Sequence, residues 1–184
     1  MAKEIKNNHL YIDGCDTVEL AKTFGTPLYV YSVSEIREEC QKIQAQFLTR
    51  YSKTRAAYAA KAFCTTAMLQ VIKSEGLSLD VVSGGELYTA IQADFPAEHI
   101  EFNGNNKSIE ELAAALDYGV GRIIVDGIQE VGLIRALCQE KQVVAKILLR
   151  ITPEVSVSTH QFISTGQKDS KFGIPLDEEI LFPL

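Results

Sequence analysis

The sequence predicts an α/β fold built on a parallel sheet, and three observations lead to that prediction. Short apolar runs alternate with amphipathic stretches of helical period. Polar capping residues stand at several points where a run gives way to a helical stretch. From Lys61 onward the apolar runs recur at a spacing of roughly twenty residues, which is typical of βα units. Such units join through right-handed crossovers that leave successive strands parallel.

Six segments are predicted as strands because each is a short, largely apolar run bounded by polar, glycine or proline residues. One of them, RAAYAAKA, is unusual because alanine has a weak strand preference and its small side chains surround a single lysine, Lys61. In chain order the predicted strands are residues 26–32, 55–62, 77–82, 99–104, 122–126 and 143–151.

Five amphipathic stretches between these runs are predicted as helices. Three of the strand-to-helix junctions place a short polar residue three positions before Glu or Gln, at Ser83, Ser108 and Asp126. This is the spacing of a capping box, which satisfies backbone donors at a helix start. In chain order the predicted helices are residues 33–48, 65–75, 84–93, 108–118 and 127–141.

The periodicity leaves two architectures open. A complete (β/α)8 barrel needs roughly 200 to 250 residues, and about five βα units fit within the 184 residues of this chain. The segments therefore form either an open, doubly wound sheet or an incomplete barrel.

Composition excludes several classes of protein. The net charge of −6 argues against a nucleic-acid footprint. The opening MAKEIKNNHL lacks the apolar core of a signal peptide, and the longest apolar run is too short to cross a bilayer. The four cysteines and three histidines form no metal-ligand spacing. We expect a soluble, cytoplasmic protein without a metal.

Polar side chains gather at the predicted carboxyl ends of the strands, where α/β proteins place their chemistry. Two amines, two carboxylates and several amides would lie around one opening there. In order they are Lys61, Asp80, Ser83, Asn103, Asn105, Asn106, Lys107, Asp126, Arg150 and Thr152.

Several of these residues, and two nearby glycines, also have a structural interpretation. Lys61 is either a desolvated, nucleophilic amine or a lysine whose stem crosses apolar surface to reach water. Asp80 either pairs with a cationic ligand group or begins a turn. The segment FNGNNK could bind a ligand or form an ordinary turn. Gly84 and Gly85 could hold a phosphate at a helix start or allow close helix packing.

Several motifs, taken in order, resemble the fold-type III pyridoxal-phosphate decarboxylases. They are YAAKA, LDVVSGGEL, FNGNNKSIEELAAAL, GVGRIIVDGIQEVGLI and THQFISTGQKDSKFGI, and the likeness extends over about residues 9–176. The resemblance implies a (β/α)8 TIM barrel of the alanine racemase/decarboxylase type, here incomplete with about five units. It also implies that residues 1–32 lead into the barrel, that residues 33–184 form part of the cofactor-binding barrel, and that the family's C-terminal β domain is absent.

The resemblance assigns roles to three residues. Lys61 corresponds to the catalytic lysine that binds pyridoxal 5′-phosphate covalently. Asp80 falls on the acidic position close to the cofactor, and Arg150 on a strand-end arginine that organises the same side of the pocket.

The implied activity is decarboxylation of meso-2,6-diaminopimelate to L-lysine in lysine biosynthesis. Family members are about twice as long and form homodimers, and several of their cofactor-binding and partner-subunit groups follow the part that matches. We therefore expect this chain to be inactive by itself. Two alternatives stay open: a decarboxylase of another amino acid, of the carboxynorspermidine, arginine or ornithine type, and a non-catalytic half-barrel binding module.

Overall fold

A computed structural model describes residues 3–152 and 172–175. These residues fall into two compact units. The first contains residues up to 56 together with 74–76, and the second contains the remainder of the described chain. The THQFISTGQKDSK part of the last motif lies outside the described residues.

The first unit begins with a three-stranded antiparallel sheet that the strand prediction missed. Its strands are β1 (Lys3–Lys6), β2 (His9–Ile12) and β3 (Cys15–Asp16). Two-residue loops join them, Asn7–Asn8 and Asp13–Gly14, and all four loop residues have positive φ. Asn-Asn and Asp-Gly suit such hairpin turns because Asn, Asp and Gly tolerate this conformation. These two dipeptides were the available sequence signal.

Two helices complete the first unit, α1 (Thr17–Phe24) and α2 (Val33–Gln46). The side chain of Ser32 caps α2 by accepting a hydrogen bond from the Glu35 amide. The strand predicted at 26–32 is wrong, since no strand is assigned between α1 and α2. A strand requires a hydrogen-bonded neighbour, and no described strand pairs with this segment. Its apolar side chains stay exposed, with Tyr29 at 88%.

The second unit is built on a five-stranded parallel sheet. Its strands are β4 (Ala57–Ala59), β5 (Ser78–Val81), β6 (Ile100–Phe102), β7 (Arg122–Val125) and β8 (Ile147–Leu149). They lie in chain order, each paired with the next. A separate parallel pair joins β9 (Ile151–Thr152) to β10 (Ile174–Pro175). Five of the six predicted strands are thus confirmed, with shorter bounds.

The predicted helices between these strands are also confirmed. They are α3 (Thr66–Ser74), α4 (Gly84–Gln92), α5 (Ile109–Tyr118) and α6 (Ile128–Lys141). Along β5 and β6 the burial alternates, so that Leu79 and Phe102 are fully buried while Asp80 and Glu101 lie half-buried on the other face. This period of two gives the sheet one apolar face, which packs against helices, and one more polar face.

The strand order decides between the two architectures left open by periodicity. A doubly wound sheet reverses its order at a switch point, whereas a (β/α)8 barrel adds each new strand beside the last. The order β4 to β8 shows no reversal. The fold is therefore the predicted α/β barrel type, present here as five consecutive strands.

None of the helices within the described ranges is both long and apolar enough to cross a membrane.

Candidate active site

A cavity of about 370 Å³ lies at the carboxyl ends of the parallel strands. It brings together the three residues singled out from the sequence, Lys61, Asp80 and Arg150. The remaining lining residues come from the ends of β5 and β6 and from the segment before β10: Val82, Asn103, Gly104, Asn105 and Phe172. Its volume lies within the range of small-molecule pockets, which is roughly 300 to 1,000 Å³.

Lys61 stands on a turn just beyond β4. The strand predicted over 55–62 ends at Ala59, and Ala60–Ala62 form a single 3-10 turn. The hydroxyl of Tyr58 donates to the carbonyl oxygen of Phe63 across that turn at 3.0 Å. Ala60 is fully buried and Lys61 is exposed. Ala60 therefore packs into the interior while Lys61 projects away from it. Of the two interpretations of Lys61, the exposed side chain fits the lysine that reaches water.

Asp80 is the carboxylate beside this turn. It pairs with Ala59 in the parallel register of β4 and β5. Its Oδ1 is buried and has no hydrogen-bond partner among the described residues. Burial raises the pKa of the Asp80 carboxyl above its ordinary value, although a hydrogen bond with Asn103 acts in the opposite direction. An unpaired buried oxygen is costly, which suits a site completed by a hydrogen-bond donor from a ligand.

The loop after β6 forms the next part of the wall. The Asn103 amide donates to the carbonyl of Val81 at 2.7 Å, and its side chain accepts from the Gly104 amide. Gly104 has a φ of +108°, and a Cβ there would lie 2.7 Å from the carbonyl oxygen of Val82. Only glycine allows this close approach. Of the FNGNNK segment, the asparagines at 103 and 105 reach the cavity.

Arg150 forms another part of the wall together with Phe172. Its guanidinium carbon lies 4.4 Å from the centre of the Phe172 ring, and its Nη1 donates to Asp126 Oδ1 at 2.9 Å. The second oxygen of Asp126 accepts from the Gly173 amide at 3.0 Å. The expectation that Asp126 caps α6 is wrong. Gly127 occupies the cap position without a side-chain bond, because the Asp126 carboxylate is engaged by these donors from distant parts of the chain.

Lys107 is a buried structural residue rather than part of the opening. Its side chain is 1% exposed and lies 2.7 Å from Glu130 Oε1. It also donates to the carbonyl oxygens of Gly104 and Ile124, at 2.6 and 2.8 Å. The ammonium therefore ties the loop that carries Gly104 to β7 and α6.

Gly84, the first of the two glycines at the start of α4, serves helix packing. The Gly84 amide donates to the Glu111 carboxylate, and a Cβ at Gly84 would lie 2.8 Å from the same group. Glu111 also closes the predicted capping box with Ser108. Ser83 caps α4 through the Glu86 amide as predicted. A carboxylate thus occupies the position considered for a phosphate.

Sequence reasoning missed two lining residues, Val82 and Phe172. Val82 directly follows a buried strand, which is a usable signal. Phe172 reaches the cavity through contacts with Arg150 and with Thr152, whose hydroxyl donates to the Phe172 carbonyl at 2.6 Å. No local pattern reveals a contact between positions this far apart. Ser83, Thr152 and Asn106 are not among the residues that line the cavity.

Comparison with known proteins identifies the family of this chain. The model of a family described as "Pyridoxal-dependent decarboxylase, pyridoxal binding domain" matches residues 33–182. The chain is 51% identical over 175 residues to the diaminopimelate decarboxylase of Bacillus subtilis, covering 95% of this chain and 40% of that protein. It is 53% identical over 171 residues to the enzyme of Bacillus methanolicus, covering 93% of this chain and 40% of that protein.

Among solved structures, the chain is similar to a crystal structure of diaminopimelate decarboxylase from M. jannaschii in complex with L-lysine. The TM-score is 0.88 and the identity 38%, over 99% of this chain and 43% of that one. The chain thus spans about 40% of the length of the relatives that it matches.

Proposed function

We propose that this chain, which belongs to the family of pyridoxal-dependent decarboxylases, is the cofactor-lysine part of a diaminopimelate decarboxylase. The reaction would remove the carboxyl group of meso-2,6-diaminopimelate as carbon dioxide and yield L-lysine. The choice of substrate is supported by the names of relatives that share about half of their residues with this chain. The L-lysine complex of the M. jannaschii enzyme is consistent with the product.

The observation that carries the proposal is the cavity that unites one amine, one carboxylate and one guanidinium at the strand ends. The family is a pyridoxal-binding domain, so the cofactor is pyridoxal 5′-phosphate. When bound, this cofactor supplies an electron sink for the electrons left by departing carbon dioxide.

Lys61 is the residue that would bond covalently to the cofactor. A primary amine is the group that reacts with an aldehyde carbon, and the turn at Ala60–Ala62 presents this one at the cavity. Tyr58 stabilises that turn through Phe63. The exposure of Lys61 leaves its amine accessible to an entering cofactor.

Asp80 and Arg150 would orient groups around that amine. The unpartnered Oδ1 of Asp80 can accept a hydrogen bond from a protonated nitrogen of a ligand. Arg150 contributes a fixed positive charge to the same cavity, because Asp126 and Phe172 hold its guanidinium on two sides. The residues present therefore fit an aldehyde cofactor that carries both acceptor and donor groups.

Cofactor binding is tested by titrating the chain with pyridoxal phosphate and following the absorbance band at about 420 nm. The band is expected for the parent chain and for Lys146→Met, and not for Lys61→Met. Lys146 is a matched control, since it lines a different cavity beyond the amino end of β8. A Lys61→Met variant that retained the band would remove Lys61 from the assigned role.

The reaction is tested by measuring carbon dioxide release from meso-diaminopimelate, L-ornithine and L-arginine. Release from diaminopimelate alone supports the proposed substrate. Release from ornithine or arginine would instead place the protein among decarboxylases of other amino acids. Because this chain is expected to be inactive by itself, the assay uses the full-length enzyme that carries this sequence. A full-length protein that binds the cofactor but releases carbon dioxide from none of the three would act as a binding module.

The proposal also covers the domain organisation and the oligomeric state. We place residues 33–184 in the cofactor-binding barrel, with 1–32 leading into it, and we expect the complete enzyme to work as a cytoplasmic homodimer. Light scattering on the purified complete enzyme measures its oligomeric state, and a monomer at working concentration would contradict the expected homodimer.

A further inference from the structure

Asp126 stands at the end of β7 as a nearly buried carboxylate, with a side chain 6% exposed. Both of its oxygens are used. Oδ1 accepts from Arg150 at 2.9 Å, and Oδ2 accepts from the Gly173 amide at 3.0 Å. The Asp126 amide itself donates to Glu130 at 2.9 Å, which fixes the backbone at the base of the carboxylate. The carboxylate is therefore held rigidly and accepts hydrogen bonds from two specific donors, Arg150 and the Gly173 amide.

One of these donors lies in a wall of the cavity, and the other directly follows a residue of the same wall. Arg150 and Phe172 both line it, and the residue after Phe172 is the one that binds Asp126. Gly173 is confined further, because its φ is +80° and a Cβ would lie 2.6 Å from the Thr152 hydroxyl. The Ile174 amide then donates to the Arg150 carbonyl at 2.7 Å. A single carboxylate thus joins the guanidinium to the segment that carries the Phe172 ring.

The cavity contains a second acceptor for the Arg150 guanidinium besides Asp126. Asp80 lines the same cavity and has one buried oxygen without a partner among the described residues. Arg150 lines the same cavity, so an Arg150 released from Asp126 has that oxygen as an alternative acceptor. The attraction within such an ion pair is stronger in a partly buried site than in water. The guanidinium would then occupy the space needed by a ligand and use the acceptor that a ligand needs.

We propose that Asp126 is a positioning residue. It holds the Arg150 guanidinium against Phe172 and away from Asp80, so that the cavity stays open and Asp80 stays available to the cofactor. This inference rests on the proposed function for its link to cofactor binding. Its structural part, the clamp on Arg150 and Gly173, is independent of the cofactor.

The cofactor-linked part is tested by a double-mutant cycle on the dissociation constant for pyridoxal phosphate. Asp126→Asn keeps the shape of the side chain but loses the charge and one acceptor. It is expected to weaken binding by about tenfold, which is the effect of losing one charge-assisted contact. In an Arg150→Gln background the same substitution is expected to change binding by less than about twofold, since the restrained group is gone. A general loss of packing would weaken binding equally in both backgrounds and would overturn the proposal.

The cofactor-independent part is tested by hydrogen exchange of backbone amides in the chain without cofactor. Asp126→Asn is expected to speed exchange at Gly173 by about tenfold or more, while the core amides of Leu79 and Phe102 keep their rates. An unchanged rate at Gly173 would overturn the clamp. If the parent chain bound no cofactor, the proposed function would be wrong. The exchange rate at Gly173 would still test whether Asp126 restrains this segment. If Asp126→Asn did not fold, Asp126→Glu, which retains the charge but displaces it, would replace it in both experiments with the same outcomes.

Discussion

The buried ion pair between Lys107 and Glu130 should be one of the most costly contacts in the second unit to break. The Lys107 side chain is 1% exposed and the Glu130 side chain 11%, and 2.7 Å separates Nζ from Oε1. Lys107→Met keeps most of the volume of the side chain but leaves the Glu130 carboxylate without its counter-ion. It also deprives the carbonyl oxygens of Gly104 and Ile124 of their shared donor.

Removal of one partner of a buried pair typically costs about 3 to 5 kcal/mol, because the remaining charge stays buried. Domains of this kind have a total stability of about 5 to 15 kcal/mol, so Lys107→Met should lower the free energy of unfolding by a large fraction. Glu130→Gln removes the charge but retains an oxygen for the Asp126 amide. The double variant should therefore lose less than the sum of the single losses, by about 1 to 3 kcal/mol.

Urea unfolding at 25 °C, followed by circular dichroism, measures these losses. The slope of free energy against urea should be unchanged, since it reports the surface exposed on unfolding. A loss below about 1 kcal/mol for Lys107→Met, or strict additivity in the double variant, would refute the assignment of this lysine as a buried structural cation.

Three further changes have distinct expected outcomes. Asp80→Asn should raise the stability of the cofactor-free chain at pH 7 by about 1 kcal/mol. The pKa of Asp80 is raised, which means that its ionised form disfavours the fold. The parent chain therefore loses stability as the pH rises through that pKa, and the variant should lose less. Urea unfolding of both proteins from pH 4 to 7 measures this difference. Gly173→Ala combines a φ of +80° with a Cβ 2.6 Å from Thr152, and should cost about 1 to 3 kcal/mol in thermal unfolding. Gly119→Ala, with a φ of +77° and open space around the Cβ, is its control and should cost less. Ser108→Ala removes the cap of α5 and should cost about 1 kcal/mol in the same assay, while equal stability would mean that the cap contributes nothing.

The βα alternation was predictable because local rules govern it. Hydrophobic period, capping residues and spacing located the helices of the second unit and its strands, and polar residues after the strands pointed to the cavity. Lys61, Asp80 and Arg150 belong to this part of the structure, since their positions follow directly from where β4, β5 and β8 lie. Their roles toward the cofactor stay predictions.

The rest depended on contacts between residues distant in the chain. The apolar segment at 26–32 has the composition of a strand but lacks a described partner, and composition alone cannot supply one. Asp126 has a suitable sequence for a helix cap, yet its carboxylate binds Gly173, 47 residues away. Lys107 follows a turn sequence, which predicts exposure to solvent. Its burial against Glu130 depends on the packing of α6, which the local sequence does not reveal.

The covalent attachment of the cofactor to Lys61 is the central claim, and one measurement tests it most directly. The chain is incubated with pyridoxal phosphate, reduced with borohydride and digested, and the modified lysine is identified by mass spectrometry. We predict a cofactor adduct on Lys61, with Lys107 and Lys146 unmodified at equimolar cofactor. An adduct distributed over exposed lysines such as Lys3 and Lys42, or the same total label in Lys61→Met, would contradict the account.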